Sequence, residues 1–312
     1  MKSVNKLIVT YHNRNVGTLS MTPDNRLCAF QYDREWLANG FSISPLDLPL
    51  KPDLFIAKPQ PFWGNFGIFE DSLPDGYGRY LLHRLLKKQG VNDSELTPLQ
   101  RLSIVGTSGM GALCYIPETY LGEEKSLPTL DCLQQMALDI LSEKSYEDEE
   151  VLYFNSGNSG GCRPKCLLHD TEGAWLVKFR NTYDPKDMGA MEYRYNEVAR
   201  KCGITVPDFN LMEGKSFATK RFDIENGIRY HIATAGALLN ESIMQPRLDY
   251  KTLLHLVGYL TQDPKQVDEM FRRMVFNVLT DNKDDHAKNF SFIYKEGNWA
   301  LAPAYDLTRC NN

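Results

Sequence analysis

The chain has 312 residues, a formal charge of -5 at neutral pH, 42% hydrophobic residues and 24% charged ones. This length and balance exclude a disordered or low-complexity chain and predict two folded domains around a substantial core. The acidic balance supplies no general attraction to nucleic-acid phosphates, and no apolar run is long enough to span a bilayer.

The N-terminal MKSVNKLIVTYHNR holds only a four-residue apolar run, too short for a secretory signal, so the expected location is the cytoplasm. Seven scattered cysteines suit a reducing compartment better than a disulfide framework. Cys162 and Cys166 form the one close pair, with no second Cys/His pair nearby to complete a zinc site.

In chain order, residues 3 to 32 read as short strands broken by the turn at Pro23-Asp24-Asn25. A helix is predicted from about Asp75 to the glycine stop at Gly90. SIVGTSGMGALCYIP then reads as two strands around a glycine turn, so Gly106-x-x-Gly109-x-Gly111 is a hairpin turn before it is a phosphate cradle. A charged connector places a domain boundary near residue 125, followed by an amphipathic helix at LDCLQQMALDILSEK.

A glycine-rich segment at 155 to 165 precedes two strands, the second over Ala174 to Phe179 and carrying Lys178, which is the shape of a nucleotide-binding lobe. A helix over 187 to 202 follows, then two strands in FNLMEGKSFATKRFD joined by a Glu-Gly-Lys turn. Beyond 250 the pattern is helical. Its second helix starts at Pro264 and carries Val267, Met270, Phe271, Met274, Val275 and Val278 at three-to-four spacing. A hairpin from FSFIY to WALAP ends at Tyr305-Asp306.

Chemistry concentrates in the loop between that helix and the hairpin. Asp284 and Asn289 lie five residues apart, and Asp306 lies beyond the hairpin, so three oxygen-bearing side chains can converge on a divalent cation and a triphosphate. Asp284 has the five-residue spacing to Asn289; Asp285 does not. Lys178 at a strand end, with Glu192 fourteen residues on along a helix, repeats the lysine and acid that hold phosphates, and Glu197 is the rival acid. The segment Asn155 to Lys165 is neither a Walker A loop nor G-x-G-x-x-G, and as a bare pattern it is equally a surface loop. The six histidines show no metal spacing, and no G-x-S-x-G elbow exists.

These residues resemble the HipA-type serine/threonine kinases, toxins of type II toxin-antitoxin pairs. Asp284 to Ser291 is similar to that family's D-x-H-A-K-N-F-S loop, and Ala302-Pro303-x-Tyr305-Asp306 to its metal motif. Gly160-Gly161-x-Arg163-Pro164-Lys165 resembles its phosphate loop, Lys220-Arg221-Phe222-Asp223 its hinge, and Phe69 to Gly76 its N-terminal-domain signature. The implied fold is α+β: a small β-rich N-terminal domain over 1 to 125, then a protein/lipid-kinase-like domain over 126 to 312. That second domain has a nucleotide-binding β lobe to about 225 and a partial helical lobe. The family continues past the point where this chain stops, so a shortened helical lobe is expected.

The resemblance implies ATP and Mg²⁺ as cofactors, Asp284 as catalytic base, and Asn289 and Asp306 as metal ligands. At the ATP site it implies Lys178 with Glu192, Asn158, Ser159, Gly160 and Gly161, the segment Lys220, Phe222 and Asp223, and His286. Implied partners are a protein substrate such as an aminoacyl-tRNA synthetase and a HipB-like helix-turn-helix antitoxin, with DNA reached only through that antitoxin and no membrane. Asn158 stands where family members often carry a self-phosphorylated serine, with Ser156 and Ser159 close by. Two other readings stay open: an inactive kinase-like module that binds antitoxin or nucleotide, and a kinase for lipids or small molecules.

Overall fold

The structure, a computed structural model, describes residues 3–122, 128–144, 149–156, 160–171 and 173–309. The boundary expected near residue 125 lies outside them. Among the described residues no helix is long and apolar enough to cross a membrane.

The chain opens with β1 (Lys6–Tyr11), β2 (Arg14–Met21) and β3 (Cys28–Tyr32), then α1 (Arg34–Asn39) and β4 (Leu54–Ile56). With β5 (Leu113–Ile116) these strands form an antiparallel sheet in the order β4-β3-β2-β1-β5. Leu7 and Val9 of β1 and Leu19 of β2 are fully buried, as the two-residue strand period places them on one face. Between β4 and β5 run α2 (Gly67–Glu70), α3 (Gly76–Lys88) and α4 (Pro98–Val105).

The first strand expected in SIVGTSGMGALCYIP is instead the last turn of α4. A reciprocal cap fixes that helix: Thr97 Oγ1 accepts the Gln100 amide at 3.3 Å, Gln100 Oε1 accepts the Thr97 amide at 3.0 Å, and Pro98 occupies the first turn. Those start signals outweigh the strand preference of Ile104 and Val105. The Gly106–Gly111 segment therefore links a helix to a strand and is not a hairpin turn.

A second sheet, in the order β6-β7-β9-β8, is built from β6 (Lys165–Asp170), β7 (Gly173–Lys178), β8 (Phe209–Met212) and β9 (Ser216–Lys220). Around it lie α5 (Leu130–Leu141), α6 (Glu149–Ser156), a helix not among those expected from sequence, and α7 (Met188–Lys201). The chain continues through the short pair β10 (Ile224–Glu225) and β11 (Ile228–Arg229), then β12 (His231–Thr234) and α8 (Ala235–Leu239). It ends with α9 (Tyr250–Thr261), α10 (Pro264–Leu279), β13 (Ser291–Lys295) and β14 (Asn298–Leu301); β13 lies between β12 and β14 in a further antiparallel sheet.

The inward face of α10 departs from the apolar period. Met270, Arg273, Phe276 and Asn277 are buried, whereas Phe271, Val275 and Val278 face solvent. Arg273 turns inward because it donates to the Ala302 carbonyl at 2.8 Å and pairs with Glu269, and Asn277 because it donates to Tyr250 Oη at 3.0 Å.

Two large apolar cores cross the chain's linear order. One joins Leu7, Phe30, Trp36 and Phe69 to Leu253, Val257, Phe290 and Phe292. The other joins Leu81, Leu82, Leu85 and Leu86 of α3 to Leu133, Ile140, Leu152, Trp175 and Val177 around the second sheet. Thus α3, early in sequence, packs on the sheet that carries Lys178.

Candidate active site

Antiparallel pairing of β6 with β7 sets Lys165 directly opposite Lys178, so both ammonium groups share one sheet face. Lys178 Nζ donates to Glu192 Oε1 of α7 at 2.5 Å and also to Asp306. The rival acid, Glu197, makes no such contact. Burial alone would lower the Lys178 pKa, but Asp306 and Glu192 outweigh it and hold the ammonium above its ordinary range. Burial likewise opposes the ionised form of Asp306, yet Lys178 and Lys165 keep its carboxyl below the usual range. Lys165 donates to the Gly160 carbonyl, and burial pulls its pKa down against the attraction of Asp306.

The loop after α10 delivers the second group of residues. Asn289 Nδ2 donates to the Asp284 carbonyl at 2.6 Å, which fixes the five-residue arc and leaves Asn289 Oδ1 without a partner among the described residues. His286 Nε2 stands 3.6 Å from Asp284 Oδ1, and its Nδ1 is buried without a hydrogen bond. Asp285 is committed elsewhere, accepting from the Tyr250 hydroxyl. The Asp284 side chain stays about half exposed at 53%, open to an incoming hydroxyl. Burial and the neighbouring Asp306 raise its pKa against the pull of His286.

Asp306 sits at φ 53°, a left-handed conformation that non-glycine residues seldom hold unless their surroundings impose it. Asn282 Nδ2 donates to its carbonyl at 3.2 Å. Tyr305 Oη donates to the Lys288 carbonyl at 2.7 Å, and its ring stacks on Phe222 at 5.8 Å, so one tyrosine ties the expected hinge, the Asp284 loop and Asp306 together. Neither Asn282 nor Tyr305 was singled out for this from sequence, although Tyr305 lay within a quoted motif.

The oxygen donors of Asn289 and Asp306 fit a hard cation such as Mg²⁺, which is commonly held by one or two protein oxygens with phosphates and water completing its shell. The two lysines and the orphaned His286 nitrogen fit the phosphates of a nucleotide. Among the described residues no cluster of three or more His, Cys, Asp or Glu offers an all-protein metal cage.

The expected adenine segment is only partly at this site. Phe222 reaches it through Tyr305, whereas Lys220 pairs across the sheet with Trp175, three positions along the strand from the level of Lys178. Asp223 is buried, bound by Arg221 at 2.6 and 2.9 Å and by the Gly111 amide at 2.8 Å. Arg229 donates to the Thr107, Gly109 and Gly111 carbonyls, so the glycines read as a rival cradle are clasped by this arginine. Asn158 and Ser159 lie outside the described residues. Gly160 and Gly161 are beside Lys165.

In the sequence Asp75 marks only the head of a helix. In the structure it meets both loops: Asp75 Oδ1 accepts the Gly161 amide at 2.6 Å and Oδ2 accepts Lys288 Nζ at 2.6 Å.

Residues 7–116 match the family model "HipA N-terminal domain", and residues 157–311 match "HipA-like C-terminal domain". A serine/threonine-protein kinase toxin HipA of Shewanella oneidensis is 22% identical, over 94% of this chain and 72% of its own. A putative kinase Y4dM of Sinorhizobium fredii is 29% identical over 44% of this chain and 37% of its own, so the chain spans little more than a third of that relative. A solved complex of Shewanella oneidensis HipA, HipB and operator DNA contains a chain of the same fold, with a TM-score of 0.71 at 19% identity over 97% of this chain and 76% of that one.

Proposed function

Because the chain belongs to the HipA family, we propose that it is an ATP- and Mg²⁺-dependent serine/threonine protein kinase acting as the toxin of a pair. The observation that carries this reading is Lys178 held between Glu192 and Asp306, with Asp284 and Asn289 on the adjoining loop. ATP supplies the phosphoryl group, and Mg²⁺ supplies positive charge against its oxygens.

Lys178, kept charged by its two acids, binds and orients the phosphates, with Gly160 and Gly161 beside the paired Lys165; Asn158 and Ser159 are assigned to phosphate binding with them. Asn289 and Asp306 hold the cation. Asp284 takes the proton of the acceptor hydroxyl as that oxygen bonds to the γ-phosphorus and the bond to the β-phosphate oxygen breaks. Its raised pKa suits a proton acceptor, since a more basic carboxylate takes a proton more readily. Phe222 and Lys220 border the adenine, and Asp223, with both oxygens engaged, shapes that segment from behind. His286 borders the phosphates through its unpaired Nδ1.

The acceptor is a protein serine or threonine on a translation component such as an aminoacyl-tRNA synthetase. The partner is a HipB-like helix-turn-helix antitoxin, through which an acidic chain reaches DNA, as the assembly in the related solved complex suggests. The working compartment is the cytoplasm.

The test is incubation with Mg·ATP and candidate synthetases, read by intact mass. Transfer is expected to fall by about 10²- to 10⁴-fold in Asp284→Asn, the range for loss of a general base, while a nucleotide-induced thermal shift persists. Transfer that is absent, or indifferent to Asp284→Asn, overturns the reading.

A further inference from the structure

We propose that Asp75 is a positioning residue for phosphoryl transfer, holding the Asp284 loop and the glycine loop in one fixed relation. This rests on the kinase reading above. Asp75 lies in the part of the chain that matches the N-terminal domain, and both of its partners lie in the part that matches the C-terminal one. The N-terminal portion therefore supplies a component of the phosphotransfer site.

Asp75 occupies the N-cap position of α3, where an aspartate carboxylate ordinarily accepts an amide of its own helix. Here it accepts none. One oxygen takes the Gly161 amide at 2.6 Å and the other takes Lys288 Nζ at 2.6 Å. The amide left uncapped at Tyr77 donates instead to the Gly161 carbonyl at 3.0 Å. Helix and glycine loop thus cap each other reciprocally, and the cap is shared with the residue next to Asn289.

Two neighbours could have served Lys288 but are engaged elsewhere. Asp71 accepts the Thr234 amide at 2.7 Å and its hydroxyl at 2.9 Å, and Glu70 accepts from Asn65 at 2.9 Å. Position 76 is also fitted to the contact, because its φ is +46° and a Cβ there would meet the Gly161 carbonyl oxygen at 2.4 Å. Only glycine lets α3 approach the loop this closely.

Asp75→Asn keeps an acceptor for the Gly161 amide but removes the charge facing Lys288. Expected is a fall in kcat of about 10- to 100-fold, the scale of a displaced catalytic group, with KM for ATP changed less than about threefold. Asp75→Ala removes both contacts and is expected to raise KM as well. Lys288→Met is expected to match Asp75→Asn, and the double variant Asp75→Asn/Lys288→Met to be no worse than Lys288→Met alone, because the pair acts as one unit.

Amide hydrogen exchange of the full chain supplies a readout independent of activity. Asp75→Asn is expected to speed exchange across 286–290 while leaving the strand β1 unchanged. Normal kcat in Asp75→Asn, additive losses in the double variant, or unaltered exchange at 286–290 overturns the proposal. A wild-type chain that transfers no phosphate yet shows the exchange change overturns the kinase reading and leaves the Asp75 contacts standing.

Discussion

Single side chains in this molecule are set by what surrounds them more than by their own type. His231 is fully buried in β12, with Nε2 2.8 Å from the Ile43 carbonyl, so the neutral ring donates there and burial pulls its pKa from 6.5 down to about 4. A folded-state pKa depressed this way adds stability that is complete above 6.5 and is lost as pH falls through about 4. The displacement is worth about 3 kcal/mol across that window. Urea unfolding at pH 7 and pH 4.5 should show His231→Gln losing less stability on acidification than the parent, and equal losses would contradict the assignment. Lys178 answers a different measurement: on the proposed kinase reading Lys178→Met should abolish the nucleotide-induced thermal shift, since the ammonium that Glu192 and Asp306 hold in place would be lost. Spacing singles out Lys178, Glu192, Asp284, Asn289 and Asp306, and the structure joins the first two to Asp306; the commitment of Asp285 to Tyr250 and of Asp223 to the Gly111 amide is not legible in the sequence, because those partners come from other parts of the chain.

Secondary-structure elements followed their local signals where those signals were complete. Helix α3 begins and ends where the Asp75 and Gly90 punctuation predicts, whereas the tail of α4 was misread because Ile104 and Val105 drew more weight than the capping pair ahead of them. Thr97→Ala should cost about 1 kcal/mol in denaturant unfolding, the usual worth of such a cap. On α10 the period was correct and the inward face was not. Phe276→Ala should cost about 3–5 kcal/mol as a buried aromatic lost, while Val278→Ser, 70% exposed, should stay within about 0.5 kcal/mol. The reverse ranking would place the core on the other side of the helix. Arg273 and Asn277 decide that face, and their bonds to Ala302 and Tyr250 reach beyond the helix itself.

At the scale of the molecule, the packing of α3 and of the N-terminal sheet makes the two portions of the chain interdependent. Leu85→Ala, at a fully buried position of α3, should cost about 2–5 kcal/mol and should destabilise the Lys178 sheet with it. Residues 126–309 expressed alone should accordingly lose cooperative unfolding, read by circular dichroism against temperature, because Leu81, Leu82, Leu85 and Leu86 would no longer cover that sheet. A sharp two-state melt of that piece would refute the interdependence. The sequence by itself determined most of the strands, the five longest helices and the candidate oxygen-bearing residues, because turns, caps and motif spacings act within a few residues. Only the tertiary structure decided which faces are buried, which acids remain free and that Asp75 joins the two loops, because each depends on side chains far apart in sequence meeting at hydrogen-bond distance.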